Sequence, residues 1–280
     1  MIPHRLTAVL LLSLLGPGPL TAGEAETPAP RAPALLSRVA VVGASVSRGF
    51  RHRTSLASVF ELAISAPHEK VLSLPTYGVF MDPIRMCDDQ VERCIDHEAS
   101  LVVGIDFLFW YAYGTLRGET ELERRSERVT TALKALERLE CHVVLGDIPD
   151  MRDADPKFLS PNILPTTEVL DALNEQVQAW AKERKNVTLV PIASWVEDLK
   201  AGRWKLPPAS KDGEATPLPP ESVMQGDRLH PNVLGTLVMG DQLMRTLRDR
   251  LGAAVSGLGF ELHREIERRE LEVPKTKSSE

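Results

Sequence analysis

Short runs rich in Val, Ile and Leu recur at 39–42, 71–74, 101–105, 142–145 and 187–192. Each is too short for a helix and continuously apolar rather than alternating, the pattern of strands buried on both faces. Between them, apolar residues return at three- and four-residue spacing over 55–66, 84–97, 120–139, 168–185 and 232–251, which predicts helices. Strand and helix therefore alternate along the chain. That alternation predicts a three-layer α/β/α domain with a five-stranded, mostly parallel sheet and right-handed crossovers. Ligands in such sheets bind beyond the carboxyl ends of the strands, so the residues that follow each apolar run are the place to look for chemistry.

The flanks break the pattern. Residues 6–15 (LTAVLLLSLL) form an apolar stretch behind His4 and Arg5 and ahead of a Gly-Pro break, about half of what a bilayer span needs. This is the layout of a secretory signal peptide, with small residues near Ala22 and Gly23 for cleavage, and it predicts a secreted or periplasmic protein. The expected organisation is a signal peptide at 1–22, an Ala- and Pro-rich linker at 23–36, one domain at 37–255 and a charged C-terminal tail at 256–280, read from residue 261 as a frayed helix that ends in disorder. Two proline-rich loops, 149–166 and 205–226, are long enough to be lids or binding loops, or surface excursions without a role.

The 280 residues are 43% hydrophobic and 26% charged, ordinary globular composition that excludes disorder and collagen. With 33 basic against 39 acidic side chains, the net charge of −6 offers nothing to hold nucleic acid or an anionic membrane, and the mature chain carries no expected membrane segment. Cys87, Cys94 and Cys141 are too few for a disulfide scaffold and fit no zinc spacing. On one helix Cys87 and Cys94 stand about 10 Å apart, beyond disulfide reach, so free buried thiols are expected. Asp147, Asp150, Asp153 and Asp155 supply the oxygen that calcium prefers but lack the Gly and terminal Glu of an EF-hand loop. They read as a solvated acidic loop, and neither metal nor cofactor is expected.

Two short segments carry nucleophile and base types. Gly43-Ala44-Ser45-Val46-Ser47 leaves the first strand, where a Ser sits at the rim of the sheet with its N–H free to face a developing oxyanion. Ser47, two residues on, competes for the nucleophile's place but reads as a helix cap or a support residue. Asp227-Arg228-Leu229-His230-Pro231-Asn232 precedes the last helix; Asp and His three apart on one turn can meet, so that Asp227 accepts from Nδ1–H and Nε2 faces a serine. Either segment alone is commonplace. Together they hold a nucleophile, a base and the carboxylate that orients the base.

The pair resembles the SGNH or GDSL family of serine hydrolases over residues 37–250. The resemblance implies a flavodoxin-like sheet, ester hydrolysis through an acyl-enzyme, and small-molecule, lipid or polysaccharide esters as substrates. It implies that Ser45, in the block usually written Gly-Asp-Ser-Leu-Ser and here carrying Ala44, is the nucleophile, with His230 as base and Asp227 as its orienter. It further implies that the Ser45 and Gly78 N–H groups line the oxyanion hole, and that Asn174 is structural. The third block, Gly-x-Asn-Asp, falls on Gly104-Ile105-Asp106-Phe107, so Asp106 stands at the oxyanion-hole Asn. An ionised carboxylate only accepts, and one such donor is worth about 10²–10³ in rate. Asp106 can be protonated and donate, can turn to another contact, or can mark a fold that kept a binding cleft and lost hydrolysis. If its charge opposes the oxyanion, Asp106→Asn is expected to raise the rate. Alternatives on the same fold are a carbohydrate- or partner-binding protein and an O-acyltransferase. A nucleotide-binding protein is disfavoured by the absence of a phosphate-type glycine loop.

Overall fold

The first strand, β1 (Val39–Val41), pairs with β2 (Leu72–Ser73) on one side and with the central strand β3 (Leu101–Gly104) on the other; β4 (His142–Gly146) and β5 (Val187–Val190) continue the sheet. In this computed structural model, which describes residues 34–274 apart from 117, 119, 211 and 212, every pairing in that sheet is parallel and the order is β2-β1-β3-β4-β5. This is the flavodoxin-like doubly wound order: the chain steps outward from β1 to β2, then returns across β1 to β3. The reversal opens a crevice beyond the carboxyl ends of β1 and β3.

The connections carry, in chain order, α1 (Ser45–Arg48), α2 (Leu56–Ala63), α3 (Pro83–Asp96), α4 (Phe109–Ala112), α5 (Glu121–Leu136), α6 (Thr167–Lys182), α7 (Ile192–Lys200), α8 (Pro220–Val223), α9 (Val233–Leu251) and α10 (Leu262–Arg268). The continuous apolar strands feed both faces. Val39 and Val41 join Phe60 of α2, Trp195 of α7 and Leu237 of α9 in one core. Ala40 and Val42 join Val91 of α3, Leu133 of α5 and Leu173 of α6 in the other. Helices on both faces follow from strands with no polar side to show to water.

Several boundaries differ from the sequence expectation. The apolar run 187–192 is not one strand: Pro191 ends β5 and caps α7, whose Ile192, Trp195 and Leu199 then point into the core. The loop 205–226 contains an antiparallel pair, β6 (Lys205–Leu206) with β7 (Thr216–Pro217), followed by α8. The domain also extends past both limits assigned to it. Leu36, placed in the linker 23–36, is buried in the core. The stretch 256–274, placed in the charged tail 256–280, is docked: Leu258 bridges to Ile64, Leu258, Leu262 and Ile266 are buried at four-residue spacing, and Arg269 Nη1 donates to Thr54 Oγ1 at 2.7 Å. Of its charges, Arg264, Glu267 and Arg268 are exposed, while Glu265 is buried and pairs with Arg268 and Arg269. The signal peptide at 1–22 and the linker up to residue 33 lie outside the described residues.

Among the described residues no helix is long and apolar enough to cross a membrane. The three cysteines are free; Cys87 and Cys94 lie buried along one stripe of α3, where burial pushes both thiols up to about 12.

Candidate active site

β1 runs into Gly43, whose φ of +123° lies where a side chain is strained. A Cβ there would also stand 2.1 Å from Asp106 Oδ1. Glycine lets two buried side chains seize the turn. Gln90, reaching across from α3, accepts from Gly43 N–H at 2.6 Å and donates to Gly43 C=O at 3.0 Å. Asp106, just past β3, accepts from Ala44 N–H and Ser47 Oγ–H on Oδ1 (3.1 and 2.6 Å) and from Val46 and Ser47 N–H on Oδ2 (2.9 and 3.1 Å). The N–H groups on either side of Ser45 are thus engaged, while among the described residues Ser45 N–H has no acceptor.

The second half of the site is a turn ahead of α9. Asp227 Oδ1 accepts from Leu229 and His230 N–H, both at 3.0 Å, closing the loop around Arg228, which takes a left-handed φ of +53°. Asp227 Oδ2 accepts from His230 Nδ1–H at 2.9 Å, which fixes the tautomer and leaves Nε2 to accept from Ser45 Oγ–H at 2.9 Å. Pro231 follows and Asn232 caps α9 through Gly235 N–H. The loop after α1 is tied to the same turn, since Gln225 Nε2 donates to both Phe50 and Pro231 C=O and His52 Nε2 donates to Pro231 C=O. Phe50 stacks on the imidazole with centroids 4.0 Å apart, and Phe158 meets it edge-on at 6.5 Å.

Burial lowers the His230 pKa from its ordinary value even though Asp227 works to raise it. Burial alone would raise the Asp227 carboxyl, but its hydrogen bonds from the His230 ring, His230 N–H and Leu229 N–H outweigh that and hold it below the ordinary carboxylate value. At neutral pH the pair is a neutral imidazole on a carboxylate, the protonation a general base needs. Burial pushes the Asp106 carboxyl up, against the pull of its four donors.

The structure thus brings Ser45, His230 and Asp227 into one hydrogen-bonded chain. It corrects the placement of Asp106 in the oxyanion hole: both oxygens face donors of the Ser45 turn, so the side chain supports that turn and has no N–H to offer an oxyanion. Gly78 lies in a 3₁₀ turn at Tyr77–Phe80, where its N–H makes one long bond of 3.3 Å to Thr76 Oγ1. Asn174 grips Ile148 through both backbone groups, a structural contact. The acidic loop disperses: Asp147 accepts from Ala193 N–H, Asp150 pairs with Arg152, Asp153 with Lys200, and Asp155 accepts from Lys157 N–H. Among the described residues no group of three or more His, Cys, Asp or Glu side chains is placed to hold a metal ion. The residues that sequence reasoning missed are Gln90, Phe50 and Phe158. Gln90 alone had a local signal, an amide on the apolar stripe that runs Cys87, Val91, Cys94.

Ser45 also lines a cavity of about 490 Å³, together with side chains of α7, α8 and α9.

No family model and no curated protein matches the sequence. Among solved structures the chain is similar to TesA, at 15% identity and a TM-score of 0.47 over 76% of this chain and 99% of that one. It is also similar to a GDSL-like lipase from Bacteroides thetaiotaomicron (12% identity, TM-score 0.49, 76% and 89% covered) and to Axe2, an acetylxylan esterase from Geobacillus stearothermophilus (14%, 0.47, 78% and 96%). A shared fold hosts many activities, so what this chain does is a matter of its own side chains.

Proposed function

We propose that the protein is an exported serine hydrolase of the SGNH type that cleaves carboxylic esters. The observation that carries this reading is the chain Ser45 Oγ–His230 Nε2–His230 Nδ1–Asp227 Oδ2, with 2.9 Å at both links. In this reading Ser45 Oγ attacks the ester carbonyl while His230 Nε2 takes its proton, and the imidazolium is stabilised by Asp227. Collapse of the tetrahedral intermediate returns the proton to the leaving alcohol and leaves an acyl group on Ser45. Water, deprotonated by the same imidazole, then releases the acid. Ser45 N–H, lying free beside three neighbours committed to Asp106, is the first oxyanion donor, and Gly78 N–H, held by one long bond, is the second. Asp106 and Gln90 hold the turn in which Ser45 sits. Export rests on the apolar segment at 6–15 and its flanks.

Hydrolysis of p-nitrophenyl acetate and butyrate by the mature chain tests the reading, with Ser45→Ala and His230→Ala as controls. Turnover is expected in the wild type and absent in both variants, with the thermal midpoint nearly unchanged in Ser45→Ala and lowered in His230→Ala, which leaves the buried Asp227 carboxylate without its ring partner. Equal rates in wild type and Ser45→Ala would refute it, and transfer of the acyl group to an added sugar in preference to water would reassign the enzyme as an acyltransferase.

A further inference from the structure

Resting on that reading, we infer that the cavity beside Ser45 is the acyl-chain site, and that the ester it serves carries a long aliphatic acyl group rather than acetate. The space of about 490 Å³ is a cleft partly open to solvent, and its size falls among those of small-molecule sites. Roughly 150 Å³ of apolar cavity is enough to take benzene, and small-molecule sites span about 300–1,000 Å³. The space therefore suits a ligand about three times the size of benzene.

Its lining chooses the ligand's chemistry. Ile192, Trp195 and Leu199 on α7, Trp204, Val223 on α8 and Met239 on α9 contribute apolar surface, and the Trp204 indole N–H is already spent on Trp195 C=O at 2.8 Å. Of the charged groups that border the space, Asp106 holds the Ser45 turn, Asp147 accepts from Ala193 N–H, and Lys200 pairs with Asp153 and donates to Asp150 C=O; Glu221 and Arg228 border it as exposed side chains. A sugar hydroxyl in this space would find few free partners, whereas each methylene gains by leaving water. Ser45 and Val46 share the lining, so a chain occupying the cavity is continuous with a carbonyl at Ser45 Oγ.

Two measurements test this. The first is kcat/KM of the wild type for p-nitrophenyl esters from acetate to laurate. Transfer of one CH₂ from water allows up to about a fourfold gain, so a rise of at least a hundredfold from acetate to octanoate is expected. The second is binding of laurate to Ser45→Ala by calorimetry, which needs no turnover. Val196→Trp, which fills the space from α7, is expected to lower the ratio of the rate on laurate to the rate on acetate. Ser45-dependent hydrolysis of acetate with flat or falling rates on longer esters, and no laurate bound, overturns the acyl site and leaves the esterase standing. Laurate binding without hydrolysis of any ester supports the site and refutes the esterase. Failure of both measurements overturns both.

Discussion

Asp106→Asn separates two views of the carboxylate. If the charge faced the oxyanion, its removal would speed the reaction; in the structure its oxygens instead hold the backbone of the Ser45 turn. An amide can keep at most part of that set. With Nδ2 at the Oδ1 position, the Ser47 hydroxyl can rotate to accept, but Ala44 N–H then faces another donor; in the opposite orientation two backbone N–H groups do. The better arrangement leaves one buried N–H unpaired, at about 1–3 kcal/mol. The surviving bonds lose their charge assistance, roughly halving them, while relief of the burial that raises this carboxyl offsets part of the loss. A net destabilisation of about 2 kcal/mol corresponds to a thermal midpoint lowered by roughly 4–8 °C. Because Ser45 lies between Ala44 and Val46, a turn displaced on the ångström scale is expected to cost up to about 10²-fold in kcat. Differential scanning calorimetry and ester kinetics on the purified variant read both quantities. A faster enzyme, or an unchanged midpoint with unchanged kcat, would refute the assignment of Asp106 to the turn.

Gln90→Leu strips both groups that hold Gly43 and is expected to lower stability by about 2–4 kcal/mol and kcat with it, measured by urea unfolding and initial rates; an unchanged enzyme would show that Asp106 alone suffices. The acid limb of kcat/KM is expected to fall below pH 6.5, because burial lowers the His230 pKa and the neutral ring is the base, so activity rises with pH through that value and is flat above it. The same shift makes the unfolded chain bind the proton more readily, so this group's contribution to stability is expected to be lost as pH falls from about 6.5 through the folded pKa. A limb at pH 7 or higher would contradict the geometry around His230. Leu262→Ala is expected to cost about 3 kcal/mol, roughly 6–12 °C in thermal midpoint, and a chain ending at residue 255 more; an unaltered midpoint would mean that α10 is not part of the domain.

The strands are readable because a continuous apolar run of four or five residues between turn signals fits little besides a strand buried on both faces. The Ser45 and Asp227–His230 segments are readable because their chemistry is local. What escapes is long-range or disguised. Asp106 bonds to residues 59–62 positions away, and nothing in the spacing of Gly104-Ile105-Asp106 says which way its oxygens face. Phe50 looks like any loop aromatic until the fold lays it on His230. α7 merges with the preceding apolar run because Pro191 breaks a strand without changing its hydrophobicity. That the C-terminal helix α10 docks on the domain instead of fraying is hidden by Arg264, Glu265, Arg268 and Arg269, whose charges outnumber the buried Leu262 and Ile266.

The distance along the chain between Ser45 and His230, 185 positions, sets an order of events during synthesis. At 5–20 residues per second, roughly 10–40 s separate the appearance of the nucleophile from that of its base. Throughout that interval the half-made polypeptide holds a serine with no partner to deprotonate it. The Phe50–Gln225 and His52–Pro231 ties close on the same late segment. On the proposed function, reactivity is therefore withheld from the nascent chain until the turn before α9 is complete, and ester cleavage would report that this late segment has folded.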